Sequence, residues 1–446
     1  MFKKILIANR GDSAIRILRA CKEMGIKTVA VHSLVDESLM HVKFADESVC
    51  IGPNRPADTY LNMSTILSAA ELTGADALHP GVGFLSESEK FAEIVKLHGM
   101  TFIGPDPIHL AMMGDKIIAK NTMESLGLPV IKGSNGEVKN VDEAKKIAER
   151  SGYPVLFKAA AGGGGKGMKV ANSPEEIENV FKIAKSEAKA SFGNDSVYME
   201  RYLSHPRHIE IQIIADSYGN VVHLGERDCS IQRSHQKLLE ESPSTILSLE
   251  KREEIGKISK KIIKDLGYVG VGTLEFLYEN EEFFFMEMNT RLQVEHGVSE
   301  EVSGIDIVKE QIRIAAGEKL SVEQSDICFK GHAIEFRINA ENSETFIPSP
   351  GKIDELYFPG GNGVRVDSHI YRNYVIPPYY DSLIAKIIIH AENRKECFAK
   401  AKCALNELVI DGIFTTADLH KKLLQNQDII DGNFDIHWLE SNLRNL

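Results

Sequence analysis

The stretch Gly272-Thr273-Leu274-Glu275-Phe276-Leu277-Tyr278-Glu279-Asn280-Glu281-Glu282-Phe283-Phe284-Phe285-Met286-Glu287-Met288-Asn289 has two apolar runs joined by a short acidic loop, the pattern of a β-hairpin. With a three-residue loop at 280–282, Glu279 stands opposite Phe283, and counting back puts Glu275 directly opposite Glu287 on one face. A four-residue loop would send the two carboxylates to different faces. Asn289 shares the face of Glu287. Two carboxylates and an amide oxygen among apolar neighbours suit a hard divalent cation such as Mg²⁺ that also holds nucleotide phosphates. A solvated hairpin with acidic residues facing water is the plainer alternative.

The chain continues as Asn289-Thr290-Arg291-Leu292-Gln293-Val294-Glu295-His296-Gly297. Arg291 has the planar fork that grips an oxyanion with two bonds, and Glu295 is placed to act as a general base; a surface ion pair is the alternative for either. Upstream lies Ala161-Gly162-Gly163-Gly164-Gly165-Lys166-Gly167. Consecutive glycines cost conformational entropy, so the run needs a reason. Close approach of backbone N–H groups to phosphates supplies one, with Lys166 adding positive charge. A flexible linker is less apt, because the run follows the apolar strand that carries Lys158 and joins two regular elements. A Walker A loop requires Ser or Thr after the lysine; Gly167 stands there, which disfavours the P-loop fold.

Around these motifs the organisation is α/β. Residues 3–105 alternate short apolar strands (4–8, 27–32, 47–51, 75–79, 101–103) with amphipathic helices, the first at 12–24, which predicts a parallel, doubly wound sheet. Gly11 opens that helix, where backbone N–H groups can meet an anion. The dinucleotide fingerprint is absent there, so this is not an NAD domain. A helix at 115–126 leads to a small unit with a helix at 141–150, a strand at 154–159, the glycine run and a helix at 174–188, which suits a mobile lid. Strands then dominate at 208–216, 221–228, 272–278, 283–289, 331–339, 351–357 and 383–390, before two closing helices.

A formal net charge of −12 argues against binding to nucleic acid or an anionic membrane. No apolar stretch is long enough to span a bilayer, and the run at 5–8 is too short for a signal peptide. Six scattered cysteines form no C-x-x-C, so neither a zinc site nor a disulfide framework is expected, and reduced thiols in a cytoplasmic protein follow.

These segments together resemble the biotin carboxylases of the ATP-grasp superfamily, over nearly the whole chain. Besides the motifs above, the resemblance is carried by Ile7-Ala8-Asn9-Arg10-Gly11, His79-Pro80-Gly81-Val82-Gly83-Phe84-Leu85-Ser86-Glu87, Phe102-Ile103-Gly104-Pro105, Met113-Gly114-Asp115-Lys116, Gly225-Glu226-Arg227-Asp228-Cys229-Ser230, Pro348-Ser349-Pro350-Gly351-Lys352 and Pro378-Tyr379-Tyr380-Asp381-Ser382. It implies an ATP-grasp architecture: an N-terminal α/β domain at 1–114, a helical linker at 115–132, a lid with the glycine-rich loop at 133–202, and the ATP-grasp body with a mixed or antiparallel C-terminal domain at 203–446.

The roles it implies are specific. Lys116 and Lys158 bind ATP phosphates under a lid made by Gly162, Gly163, Gly164 and Gly165. Glu200 and Leu203 meet the adenine, and His208, Gln232 and His235 complete the nucleotide site. Glu275 and Glu287, with Asn289 nearby, bind Mg²⁺ or Mn²⁺. Lys237, Arg291, Gln293 and Val294 hold bicarbonate, Glu295 deprotonates it, and Arg337 stabilises the biotin enolate. The implied partners are a separate biotin carboxyl carrier protein, carboxyltransferase subunits and a second copy of the chain, with Arg16, Arg19 and Arg365 at the dimer contact. The acceptor system expected first is acetyl-CoA carboxylase, with a pyruvate or other acyl-CoA system as the alternative. No Ala-Met-Lys-Met biotinylation motif occurs, so biotin is expected from another chain, and Lys169 is read as an ordinary lid residue. Three positions depart from the family: Val82 replaces a usual tyrosine, Ser234 a usual arginine and Gly297 a usual proline. The rival readings are another ATP-grasp ligase, which would lack the 291–295 segment, and a non-catalytic nucleotide-binding regulator, which would have lost a base or metal ligand.

Overall fold

A computed structural model describes residues 1–134, 136–159 and 168–445. The glycine run at 162–165, with Lys166, lies outside the described residues.

The N-terminal strands Glu47–Cys50, Lys27–His32, Lys4–Ile7, Ala77–His79 and Thr101–Phe102 form one sheet in that order, every pair parallel. The central strands are apolar almost throughout because helices cover both faces. Strand order reverses at Lys4–Ile7, and a crevice opens beyond the carboxyl ends of the strands there. The helix Gly11–Glu23 starts at this point. Gly11 has φ +65°, which favours glycine, and a Cβ would make a tight contact of 3.3 Å with Nδ1 of His369.

The expected linking helix spans Lys116–Ser125 and begins at Asp115, whose side chain accepts the N–H groups of Ile117 and Ile118. The lid packs the helices Val141–Ser151 and Ile177–Phe192 on a three-stranded antiparallel sheet of Lys169–Ala171, Val155–Ala159 and Val197–Arg201. Phe157, Phe181 and Ala184 fill its small core.

The body is one antiparallel sheet of eight strands in the order Glu282–Asn289, Gly270–Glu279, Arg207–Ala215, Val221–Arg233, Gln236–Ser242, His332–Asn339, Leu383–Ala391 and Val364–Ser368. The strand Gln236–Ser242 and the helix Leu249–Leu266 were not foreseen. The strand expected at 351–357 is two short ones, Gly351–Lys352 and Glu355–Tyr357, which pair with different partners. Four helices follow the last long strand instead of two: Arg394–Glu407, Ala417–Leu423, Gln427–Asp431 and Trp438–Asn442.

The hairpin turn differs from the expectation and still delivers its result. Asn280 and Glu281 have φ of 53° and 63°, so the loop has two residues, and Glu279 pairs with Glu282 instead of Phe283. That register continues to Phe276 opposite Phe285; Met286 is then left unpaired, and Glu275 pairs with Glu287. The bulge restores the residue missing from the loop, and the two carboxylates meet on one face.

Candidate active site

Every candidate residue among the described ones lines a single cavity of about 580 Å³ between lid and body. Lys116, from the start of the linking helix, reaches to 3.9 Å from Glu287. Lys158, from the lid strand, pairs with Glu200 on the neighbouring strand. Leu203 packs with Ile131 and Phe284, and Leu277 adds to this apolar slot. Such a slot accepts a flat aromatic base. Gln232 precedes the turn between two body strands, and His235 lies in it, where Ser234 and His235 both have positive φ. The Ser234 N–H donates to Glu440 of the last helix at 2.8 Å.

The centre of the cavity is a lattice of buried charges. Lys237 donates to Glu210, to Glu275 at 3.0 Å and to Glu295 at 2.7 Å. His208 lies 3.0 Å from Glu275 and 3.2 Å from Glu210, as ion pairs without hydrogen-bond alignment. Burial opposes charge on His208, but Glu275 and Glu210 outweigh it and push the imidazole up to about 9. Arg227 is fully buried and donates to Glu210, Gln212, Thr273, Gln293 and Ser299. Gln293 in turn donates to Glu275 at 2.7 Å. Arg291 is tied to Glu87 of the N-terminal domain at 2.9 Å and to Asn289 at 3.0 Å.

Glu295 precedes the helix His296–Ser303 and has each carboxylate oxygen on a different cation: Oε1 on Lys237 and Oε2 on Arg337 at 2.9 Å. Burial alone would raise its pKa; Lys237, followed by Arg337 and Arg227, overrides burial and holds the carboxyl at about 2. The group is therefore ionised, as a base must be. A carboxylate held between two cations is a weak base. The adjacent Val294 carbonyl accepts from the buried Lys386 at 2.7 Å, which fixes the segment.

The hairpin carboxylates fit a divalent cation. Burial, then the charge of Glu275, raises the pKa of Glu287, and this repulsion is what a shared cation relieves. Asn289 is beside them, but its amide nitrogen donates to Glu275 at 2.6 Å and its oxygen accepts from Arg291. Ligand atoms of His208, Glu210 and Glu275 also lie within 4.8 Å of one another, so Glu275 belongs to two acidic neighbourhoods.

Glu210 and Arg227 were missed in the sequence. The alternation in His208-Ile209-Glu210-Ile211-Gln212 carries the signal, because period two puts all three polar residues on one face. The anticipated dimer arginines are used within the chain: Arg16 bonds Glu300 at 2.8 Å and Asp306 at 2.6 Å, and Arg365 bonds Glu300 and Asp367, each at 2.8 Å. Arg19 is half exposed. Lys169 pairs with Glu187 at 2.9 Å.

Three family models match the chain in order: the biotin carboxylase N-terminal domain over residues 1–110, the ATP-binding domain of the carbamoyl-phosphate synthase L chain over 115–323, and the biotin carboxylase C-terminal domain over 335–441. A biotin carboxylase of Haemophilus influenzae is 53% identical over 444 residues, 99% of each chain. The chain belongs to the biotin carboxylase family. Solved biotin carboxylases share its fold. The Campylobacter jejuni enzyme in complex with a β,γ-ATP compound has 50% identity and a TM-score of 0.93, with 99% of each chain covered. The biotin carboxylase domain dimer of Hydrogenobacter thermophilus 2-oxoglutarate carboxylase, with MgADP, ADP and bicarbonate, has 47% identity and a TM-score of 0.91, covering 99% and 98%. The biotin carboxylase subunit of a pyruvate carboxylase has 48% identity and a TM-score of 0.89, covering 100% and 99%. Among the described residues no helix is long and apolar enough to cross a membrane.

Proposed function

We propose that this member of the biotin carboxylase family uses ATP and bicarbonate to carboxylate biotin presented by a separate carrier protein, as the first half-reaction of an acetyl-CoA carboxylase. The observation that carries the reading is Glu295 suspended between Lys237 and Arg337 on the floor of the cavity that Lys116, Lys158 and Leu203 also line. Bicarbonate enters beside Arg291 and Lys237, takes over their donors, and leaves Glu295 free to remove its proton. The resulting oxyanion attacks the γ-phosphate of ATP, with Lys116 and Lys158 neutralising charge that develops in transfer. A bound Mg²⁺ or Mn²⁺ supplies Lewis-acid stabilisation of that charge, and Glu275 and Glu287, with Asn289 beside them, are the residues that would hold it. Carboxyphosphate then yields CO₂ and phosphate; phosphate takes the ureido proton of biotin, and the enolate, held at Arg337, captures CO₂. Exclusion of water by the lid protects carboxyphosphate from hydrolysis.

The 53% identity to a Haemophilus influenzae biotin carboxylase over 99% of each chain supports the biotin half-reaction, and acetyl-CoA is the acceptor we propose for it. The similarity to biotin carboxylase parts of 2-oxoglutarate and pyruvate carboxylases gives the alternative a specific basis. The same dimeric relative supports pairing of two copies. Purification of the tagged chain from its own cells tests the acceptor: the reading requires a biotinylated carrier and an acetyl-CoA carboxyltransferase to accompany it, and a pyruvate- or 2-oxoglutarate-carboxylating subunit in their place overturns it.

A further inference from the structure

Two buried carboxyls take no part in the reaction set out above. Glu240 on the Gln236–Ser242 strand and Glu335 on the His332–Asn339 strand are direct cross-strand partners, and both are 0% exposed. Glu335 has a hydrogen-bond partner at neither oxygen. Glu240 accepts from Nε of Arg337 at 2.5 Å through one oxygen and has no partner at the other. A Cβ on Gly297 would stand 2.4 Å from Cδ1 of Ile388 and 3.0 Å from Oε2 of Glu335.

The charged and titratable groups around the pair come from several elements. They are Arg337 on the strand of Glu335, Lys386 across from it, Lys237 on the strand of Glu240, Cys229 on the next strand, and Glu295 from the segment before the helix His296–Ser303. Glu241, His332, Arg394 and His420 lie toward the opposite face. Two adjoining carboxyls out of water, one of them with no donor, do not both ionise.

We propose that Glu240 and Glu335 hold one proton between them at neutral pH, and that Glu240, so charged, is the positioning residue that anchors Arg337 for the biotin step. Burial, opposed by Lys386, pushes Glu335 up to about 8; burial, opposed by Arg337, pushes Glu240 up to about 7. With one proton in the pair, a single negative charge faces Nε of Arg337, and its other end stays available to Glu295 and to substrate. Loss of that proton places a second charge behind the guanidinium and draws it from the cavity. The role assigned to Arg337 rests on the function proposed above; the shared proton does not.

The test combines infrared difference spectra of the full chain, titrated from about pH 6 to about pH 9, with the two half-activities measured separately. The wild type is expected to show a protonated-carboxyl band at neutral pH that fades above about pH 8, and Glu335→Gln to lack it. Glu335→Gln should retain biotin carboxylation over the alkaline range where the wild type declines. Glu240→Gln should raise KM for biotin about tenfold, the loss of one charge-assisted bond, while bicarbonate-dependent ATP cleavage moves by less than about twofold. If Glu240→Gln fails to fold, Glu240→Asp reads the same split. No such band in the wild type, a band unchanged in Glu335→Gln, or equal loss of both half-activities overturns the proposal. Absence of any ATP cleavage in the wild type counts against the proposed function, and the infrared result still decides the pair.

Discussion

Arg337 and Glu295 are hydrogen-bonded at 2.9 Å, Nη2 to Oε2, which joins the residue assigned to the biotin step to the residue assigned to the bicarbonate step. The bond links two elements far apart in sequence, a strand of the C-terminal domain and the turn that follows the hairpin. In the proposed mechanism the biotin enolate competes with Glu295 for this guanidinium.

That competition divides the two variants. Glu295→Ala should lose bicarbonate-dependent ATP cleavage by roughly 10² to 10⁴-fold, the usual contribution of a general base. Arg337→Ala should spare ATP cleavage more than biotin carboxylation, because its role in the proposed mechanism follows carboxyphosphate formation. Steady-state assays of both activities check this, and parallel loss of both in both variants would reject the division.

Glu287→Gln should lower turnover about a hundredfold at fixed Mg²⁺, since a Lewis-acid ion contributes several kcal/mol at a developing phosphoryl charge. Thermal stabilisation by Mg²⁺ with ADP should shrink in the same variant. A melting curve with and without the metal nucleotide reads this directly, and unchanged stabilisation would remove Glu287 from the metal site.

Glu241 gives a pH prediction well away from the cavity. Burial would raise its pKa, but the hydrogen bond from His332 at 2.8 Å and the charge of Arg394 hold it at about 2. A depressed carboxyl stabilises the fold above its unfolded pKa near 4.3, and that contribution is lost as pH falls toward about 2. Fully developed, it is worth about 3 kcal/mol. Urea unfolding at descending pH should show a steeper acid loss in the wild type than in Glu241→Gln; identical slopes would contradict the assignment.

Val82 borders both the main cavity and a second cavity of about 420 Å³ beside Gly11, Tyr379 and Arg337. Val82→Tyr would place a ring and a hydroxyl at that boundary. KM for free biotin should fall roughly two- to tenfold, the scale of an added aromatic contact, with ATP cleavage unaltered. A rise in KM would show that the boundary does not line the biotin approach.

The hairpin shows what the sequence makes legible and what it hides. A three-residue loop predicts the Glu275–Glu287 pairing; a two-residue turn and an unpaired Met286 give the same register. Only tertiary packing decides where a bulge falls, so a count along the chain cannot separate the two routes. The parallel N-terminal sheet was legible because its strands are short, apolar and separated by amphipathic helices. The strand Gln236–Ser242 was not, because Lys237, Glu240 and Glu241 look like a solvated turn until Arg337, His332 and Arg394 are brought against them by the fold. For Glu210, period two gives the face, and the contacts with Lys237 and Arg227 that place it in the site come only from the fold.

The most direct test of the central claim is release of ADP from ATP by the purified chain, followed with bicarbonate and biotinylated carrier each present or withheld. The arrangement of Glu295 between Lys237 and Arg337 predicts that ADP release requires bicarbonate, rises when the carrier is added, and is lost on Glu295→Ala. ADP release that is indifferent to bicarbonate and carrier, or that survives Glu295→Ala, would contradict it.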